Sequence, residues 1–241
     1  LLNRQEIGEG LLSFFFPQYC VNCKKYIAES AGYPLCKKCE EMIRKDISPC
    51  CLVCGRPLLS NRQTLCRRCR EKPFSFDFAR AVTLYEPPIK NAIHAFKYRK
   101  ILSLKILFMH LFFEYLSSNP FYHDIDGVLP VPLHPSRLRE REFNQAEILA
   151  QDISKFLQKP LMHKAVTRKK KTLPQVGLSM KERRLNLQGA FQVEDEKFIA
   201  KKKILIIDDV LTSRSTVDSL AMVLRGAGSQ TIFVLALATG K

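Results

Sequence analysis

Eight cysteines fall into four Cys-x-x-Cys pairs, Cys20/Cys23, Cys36/Cys39, Cys51/Cys54 and Cys66/Cys69, and no cysteine follows Cys69. This spacing constrains the first third of the chain more than any apolar pattern does. A Cys-x-x-Cys turn brings two thiolates to one tetrahedral ion, and two such turns about a dozen residues apart make a zinc ribbon. So short a stretch has too little apolar surface to fold unaided, so the pattern predicts a double zinc ribbon held by two structural zinc ions. Disulfides are the main alternative. The first 17 residues lack a basic n-region and a small-residue cleavage site, which predicts a reduced, cytoplasmic chain and disfavours them. No thioredoxin-like strand and helix surrounds any pair, which disfavours redox catalysis. An iron–sulfur cluster is the remaining alternative, and the spacing favours zinc. The ligation is either sequential (Cys20, Cys23, Cys36, Cys39, then Cys51, Cys54, Cys66, Cys69) or an interleaved cross-brace. The sequential form is preferred because Asp46 to Pro49 looks like a connector between two similar halves. Cys50 is left over as a spare thiol.

Charge bears on the partner. The formal net charge is +16, and two zinc ions each bound by four thiolates would lower it to about +12. A chain this basic is suited to nucleic acid, a membrane surface or a phosphorylated ligand. Insertion into a bilayer is not expected. The most apolar stretch, Ile101 to Leu116, contains Lys105, His110 and Glu114, is too short to span, and reads as a buried helix.

Beyond the cysteines the patterns alternate. Phe74 to Tyr85 is strand-like and Ile89 to Phe96 helical. After the buried helix, Gly127 to Pro130 reads as a short strand running into a proline-stiffened loop. Asn144 to Leu157 is helical, with Ile148, Leu149, Ile153, Phe156 and Leu157 on one face. Strands follow at Leu161 to Val166, Ile204 to Ile207 and Thr231 to Ala238. Such alternation predicts an α/β fold with a parallel sheet flanked by helices. Between the Leu161 and Ile204 strands lies a long basic loop, Thr167 to Gly189, without periodicity; loops of this length are usually functional or disordered. Its Lys169, Lys170, Lys171, Arg183 and Arg184 are candidate nucleic-acid contacts. Phe74, Phe76 and Phe78 are candidate base-stacking residues, although core packing of a strand accounts for at least two of them.

The stretch with the clearest chemistry is Lys203 to Val217. Ile204 to Ile207 reads as a strand buried on both faces. Asp208 and Asp209 stand at its C-terminal end. Thr212, Ser213, Ser215 and Thr216 follow, and a helix starts at Thr216. Ligands of open α/β sheets sit at the carboxyl ends of strands. A helix N-terminus suits a phosphate, while paired carboxylates suit two vicinal hydroxyls or a nearby Mg²⁺. The implied ligand is a sugar phosphate.

The segment resembles the phosphoribosyl-pyrophosphate (PRPP) loop of type I phosphoribosyltransferases, with one departure: the family's glycine is Arg214. An arginine there either bears φ > 0 at a cost of roughly 1–2 kcal/mol, obstructs the cradle, or turns its guanidinium to the phosphate. Several stretches together resemble the ComF (ComFC) family of competence proteins: the cysteine pairs, Phe96-Lys-Tyr98, Val131-Pro-Leu-His134, Arg141-x-Phe-Asn-Gln145, Thr172-x-x-Gln175, Arg184-x-Asn186, Gly189-Ala-Phe191 and Asp208-Asp-Val210. Glu142 replaces a second family glycine. The resemblance implies a type I phosphoribosyltransferase-like domain over residues 76–241 after a cysteine-rich double zinc-ribbon domain over residues 1–75. It also implies a role in natural transformation, with PRPP, internalised single-stranded DNA and competence or recombination proteins as partners. By position, Asp208 and Asp209 would hold the ribose hydroxyls. Residues Val210, Leu211, Thr212, Ser213, Arg214, Ser215 and Thr216 would line the 5′-phosphate cradle. Val131, Pro132, Leu133 and His134 would form the pyrophosphate loop. Arg137, Arg141 and the stretch from Arg168 to Arg184 would add positive charge. The alternative implied activity is a Mg²⁺-dependent transferase acting on an amine, nucleobase or nucleic-acid acceptor.

Overall fold

The computed structural model describes residues 18–28, 31–170 and 189–240. They pack as two compact units: the described residues up to Ile43 with Glu86–Leu107, and Arg44–Tyr85 with the described residues from Phe108 onward. The second cysteine-rich half thus packs in the same unit as the sheet.

The first unit holds the short helix α1 (Lys37–Glu41) and α3 (Ile89–Tyr98). In α3 the buried residues Ile89, Ala92, Ile93 and Phe96 recur at helical spacing, so one stripe is covered and the other is solvated. The helix α4 (Leu104–Ser117) is the buried helix expected from its apolar run, with Leu104, Leu107, Phe108, Leu111, Phe112 and Leu116 all buried. Among the described residues no helix is long and apolar enough to cross a membrane.

The second unit is built on a four-stranded parallel sheet of order β1–β6–β5–β2, with β1 at Phe78–Leu84, β2 at Gly127–Pro130, β5 at Lys203–Leu211 and β6 at Thr231–Thr239. The two central strands are the longest and most apolar, because they are covered on both faces. Side chains alternate along β5. Ile204 and Ile206 share a core with Val217, Leu220, Ala221 and Leu224 of α7 (Ser215–Gly226). On the helix α6 (Gln145–Leu157), Leu149, Ile153 and Leu157 are buried. Asn144 caps that helix, its side chain accepting from the Ala146 N–H.

The strand expected at Leu161 to Val166 is not a strand of this sheet. Leu161 makes a single parallel bridge to Val128. The chain then turns, the Ala165 N–H donating to the Met162 carbonyl. Val166–Arg168 (β3) pairs antiparallel with Phe191–Val193 (β4) in a separate ribbon. Two short helices complete the set: α2 (Arg67–Glu71) follows the last cysteine pair, and α5 (Pro135–Arg141) follows β2.

Candidate functional site

The sulfur atoms of Cys20, Cys23, Cys36 and Cys39 lie within 4.8 Å of one another, and so do those of Cys51, Cys54, Cys66 and Cys69. The grouping is sequential, not interleaved. The Cys23–Cys36 and Cys54–Cys66 sulfur separations are 3.7 and 3.6 Å. Zn–S bonds of about 2.3 Å in a tetrahedron require sulfur separations of about 3.8 Å, so both sets fit zinc, and the tetrathiolate chemistry selects it. The two halves repeat one local design. A tight turn carries the first pair, with the Lys24 N–H on the Cys20 carbonyl and the Gly55 N–H on the Cys51 carbonyl. The second pair sits on a short helix, with Cys36 or Cys66 at its N-cap. Cys50 is a half-exposed free thiol outside both groups.

The thiols are tuned unequally. Burial works against ionisation at Cys20 and Cys51, but backbone N–H groups aimed at the sulfurs bring them down to about 6 and about 7. Burial and the neighbouring sulfurs push Cys39 up to about 12 and Cys54 up to about 11. Four like charges this close need a divalent cation to coexist. At the first group the Asn22 side chain donates to the Cys39 sulfur at 3.2 Å and is itself held by Asn91, an outer contact that orients a ligand.

The second group is part of the sheet's own core. Cys51, Cys54, Cys66 and Cys69 pack with Ala79, Ala81, Leu220, Leu224 and Val234. Its first turn also covers the free edge of β1. The Ala79 N–H donates to the Val53 carbonyl at 2.7 Å, and the Arg80 guanidinium to the Leu52 carbonyl at 3.0 Å. An uncovered edge strand invites pairing with another chain, and here the metal-binding turn occupies it. The approach is close enough to dictate Gly55. That residue has φ +64, and a Cβ there would lie 2.4 Å from the Ala79 carbonyl oxygen. The equivalent position in the first half, Lys24, has φ 63.

Within the sheet, β5 extends through the acidic pair to Leu211. Asp208 and Asp209 are both half-buried, and the Asp208 carboxylate accepts from the Asp209 N–H at 2.8 Å. Asp208 lies near Arg168 and supports its charge, while burial and the nearby Arg137 pull the Arg168 pKa down. Asp208 of β5 and Arg137 of α5 thus both act electrostatically on Arg168 of β3. The Val131 N–H continues the β2 pairing onto the Ile207 carbonyl at 3.0 Å, and Asn144 holds the Val131 carbonyl at 3.1 Å. His134 caps α5, its Nδ1 accepting from the Ser136 N–H and lying 2.8 Å from the Ser136 hydroxyl. Pro132 and Leu133 are half-buried between them. Arg141 donates to the Gln145 side chain at 3.0 Å.

Both departures from the expected glycines fall on left-handed backbone: Glu142 has φ 68 and Arg214 φ 64. The chain keeps the glycine geometry without the glycine, at about 1–2 kcal/mol each. Arg214 does not obstruct the loop or face a phosphate. It is 2% exposed, and its guanidinium turns inward. It donates to the Cys54 carbonyl at 3.3 Å, to the Thr239 hydroxyl at 2.5 Å and to the Thr212 carbonyl. Burial pulls its pKa down to about 10, against the support of the Cys54, Cys66 and Cys69 sulfurs. The rest of the loop is held by its own atoms. The Ser213 hydroxyl accepts from the Ser215 N–H, and Asp218 in the first turn of α7 accepts from the Ser75 N–H. Thr212 is exposed, and Thr216 and Val210 are half-buried. The inward turn of Arg214 was invisible in the sequence, because its partner Cys54 stands 160 residues away.

Of the candidate nucleic-acid contacts, Lys170 is exposed and Lys169 pairs with Glu194 at 2.9 Å. Lys171, Arg183 and Arg184 lie outside the described residues, as do Thr172, Gln175 and Asn186. Phe76 is buried and Phe78 packs on Phe121 and Phe233, the core role. Phe74 is half-buried, stacked on Phe76, with the Arg68 guanidinium 4.7 Å above its ring.

Comparison with known proteins agrees with this architecture. Residues 11–70 match the model of the double zinc ribbon domain. The chain is 30% identical to Competence protein F of Haemophilus influenzae over 93% of its own length and 98% of that protein. It is 31% identical to the DNA utilization protein YhgH of Escherichia coli K12, covering 92% and 96%. It is 27% identical to Competence protein ComFC of Bacillus subtilis, covering 80% and 79%.

Proposed function

This chain belongs to the ComF family of competence proteins, and we propose that it serves DNA uptake and use by binding PRPP at the end of β5 and single-stranded DNA on its basic surface. The observation that carries the PRPP part is the strand–turn–helix at 203–226. A central parallel strand carries two acidic residues near its C-terminal end, and a left-handed turn at Arg214 leads into the N-terminus of a 12-residue helix. Such a turn presents backbone N–H groups and hydroxyls to a phosphate. Asp208 and Asp209 would hold the ribose hydroxyls or a Mg²⁺ ion, which would supply positive charge against the pyrophosphate. Arg137 and Arg168 would supply positive charge to a pyrophosphate group extending from that ribose. The DNA part is supported by the names of the relatives and by a charge that stays near +12 with both zinc ions bound.

The test is calorimetric titration of the zinc-loaded protein with PRPP and Mg²⁺. Binding is expected for the parent chain and is lost in Asp209→Ala, whereas DNA binding persists in that variant. A parent chain that takes no PRPP refutes the site reading. Pyrophosphate release on adding amines, nucleobases or oligonucleotides would turn the binding protein into a transferase.

A further inference from the structure

Arg214 joins two sites that lie on different elements. Its backbone is the left-handed residue at the head of α7, and its side chain reaches the carbonyl of a metal-binding cysteine. A guanidinium this deeply buried needs an acceptor for each donor and a counter-charge. The Cys54 and Thr212 carbonyls and the Thr239 hydroxyl supply acceptors. Asp218 and Asp77 are engaged elsewhere, on the Ser75 N–H and on Arg225 with the Ile232 N–H. The neighbouring Arg56 adds a second positive charge. The charge that balances these arginines is the thiolate cluster of Cys51, Cys54, Cys66 and Cys69, which with zinc carries −2.

We propose that Arg214 couples zinc occupancy of the second cysteine cluster to the conformation of the Thr212–Thr216 loop. With zinc in place the cluster holds the guanidinium inside, and the guanidinium holds the Thr212 carbonyl and the turn. Removing the metal frees the turn that carries Cys54, so the carbonyl to which Arg214 donates is no longer held in place. The arginine then gains by reaching water, and because it is itself the turn residue, its exit carries the loop backbone with it. Linkage makes the effect reciprocal: an anion that orders the loop tightens zinc at this cluster and leaves the first cluster unchanged. The anion part rests on the proposed phosphate site; the coupling between zinc and loop does not.

The experiment uses the full chain with two zinc ions. Chelator titration is followed by native mass spectrometry. Alkylation reports which cysteines have opened, and hydrogen exchange is read over 212–216. In the parent, opening of Cys51, Cys54, Cys66 and Cys69 raises exchange in the loop, while opening of Cys20, Cys23, Cys36 and Cys39 does not. Arg214→Gly releases the second zinc about tenfold more readily, the size typical of outer contacts to a metal site, and its loop exchange no longer depends on that zinc. Arg214→Lys keeps a charge without the planar fork, so it restores zinc retention in part and leaves the loop loose. Parent loop exchange that ignores the second zinc overturns the proposal even if no variant folds. So does an Arg214→Gly chain that retains zinc like the parent. A separate titration with inorganic phosphate and PRPP reads the site: zinc–loop coupling without PRPP binding leaves the coupling standing and removes the PRPP reading.

Discussion

Gly55 offers the sharpest test of how the second metal-binding turn is joined to the sheet. An alanine there meets two separate costs. The backbone has φ +64, which an L side chain occupies at about 1–2 kcal/mol. The added Cβ would also stand 2.4 Å from the Ala79 carbonyl oxygen and 3.3 Å from the Arg80 Cα. Those are backbone atoms of β1, paired along their length to β6, so relief requires the turn to move away. Forced overpacking of this kind costs about 1–3 kcal/mol. The expected loss for Gly55→Ala is therefore about 2–5 kcal/mol.

Two other glycines separate the terms. Gly189 has φ +67 and open space where a Cβ would go, so Gly189→Ala carries the backbone term alone, about 1–2 kcal/mol. Gly226 ends α7 with nothing near its added Cβ, so Gly226→Ala is neutral or stabilising by up to about 1 kcal/mol. The assay is urea unfolding in saturating zinc, read at constant m-value. Zinc retention is measured beside it, because a displaced turn moves Cys54 and its carbonyl. The reasoning fails if Gly55→Ala costs no more than Gly189→Ala. It also fails if Gly55→Ala loses stability but keeps zinc at the second cluster as tightly as the parent.

Three further outcomes follow from the same contacts. Because zinc must displace the protons of groups such as Cys39 and Cys54, held at about 12 and about 11 by burial and neighbouring sulfurs, metal binding releases protons. Affinity therefore falls as pH drops, by about tenfold or more per unit near neutrality; calorimetry in buffers of different ionisation enthalpy would show no proton release if this is wrong. Thr83, fully buried, donates to the Leu237 carbonyl at 2.7 Å, so Thr83→Val leaves that acceptor with one partner fewer and costs about 1–2 kcal/mol in urea unfolding. Single-stranded DNA binding weakens steeply between low and physiological salt, with a log–log slope of about −0.7 per phosphate neutralised; a flat salt series measured by anisotropy would remove the electrostatic reading.

How far the sequence reached depended on the range of the interactions involved. The zinc sites were legible because ligand spacing within a turn is a local property. The central strands were legible because burial on both faces leaves an unbroken apolar run, as in Ile204 to Ile207 and Thr231 to Ala238. Leu161 to Val166 misled because a short apolar stretch does not say which partner it will pair with. Here a turn at Met162 to Ala165 stopped it after one bridge. Arg214 shows the same limit at the site itself. Along the loop, arginine in place of glycine looks like damage, since it carries backbone strain and brings bulk to a phosphate cradle. Across the core it has acceptors, a counter-charge and a second task. The positive φ is retained at a modest cost, and the side chain uses room beneath the loop that glycine would leave to solvent or to other residues. What decides between those two readings is the position of Cys54, brought beside the loop by the edge of β1, and that edge is available because Gly55 has no side chain. The acceptability of the arginine at 214 therefore depends on the glycine at 55. The double variant Gly55→Ala/Arg214→Gly should accordingly lose less zinc affinity than the two single variants predict when added.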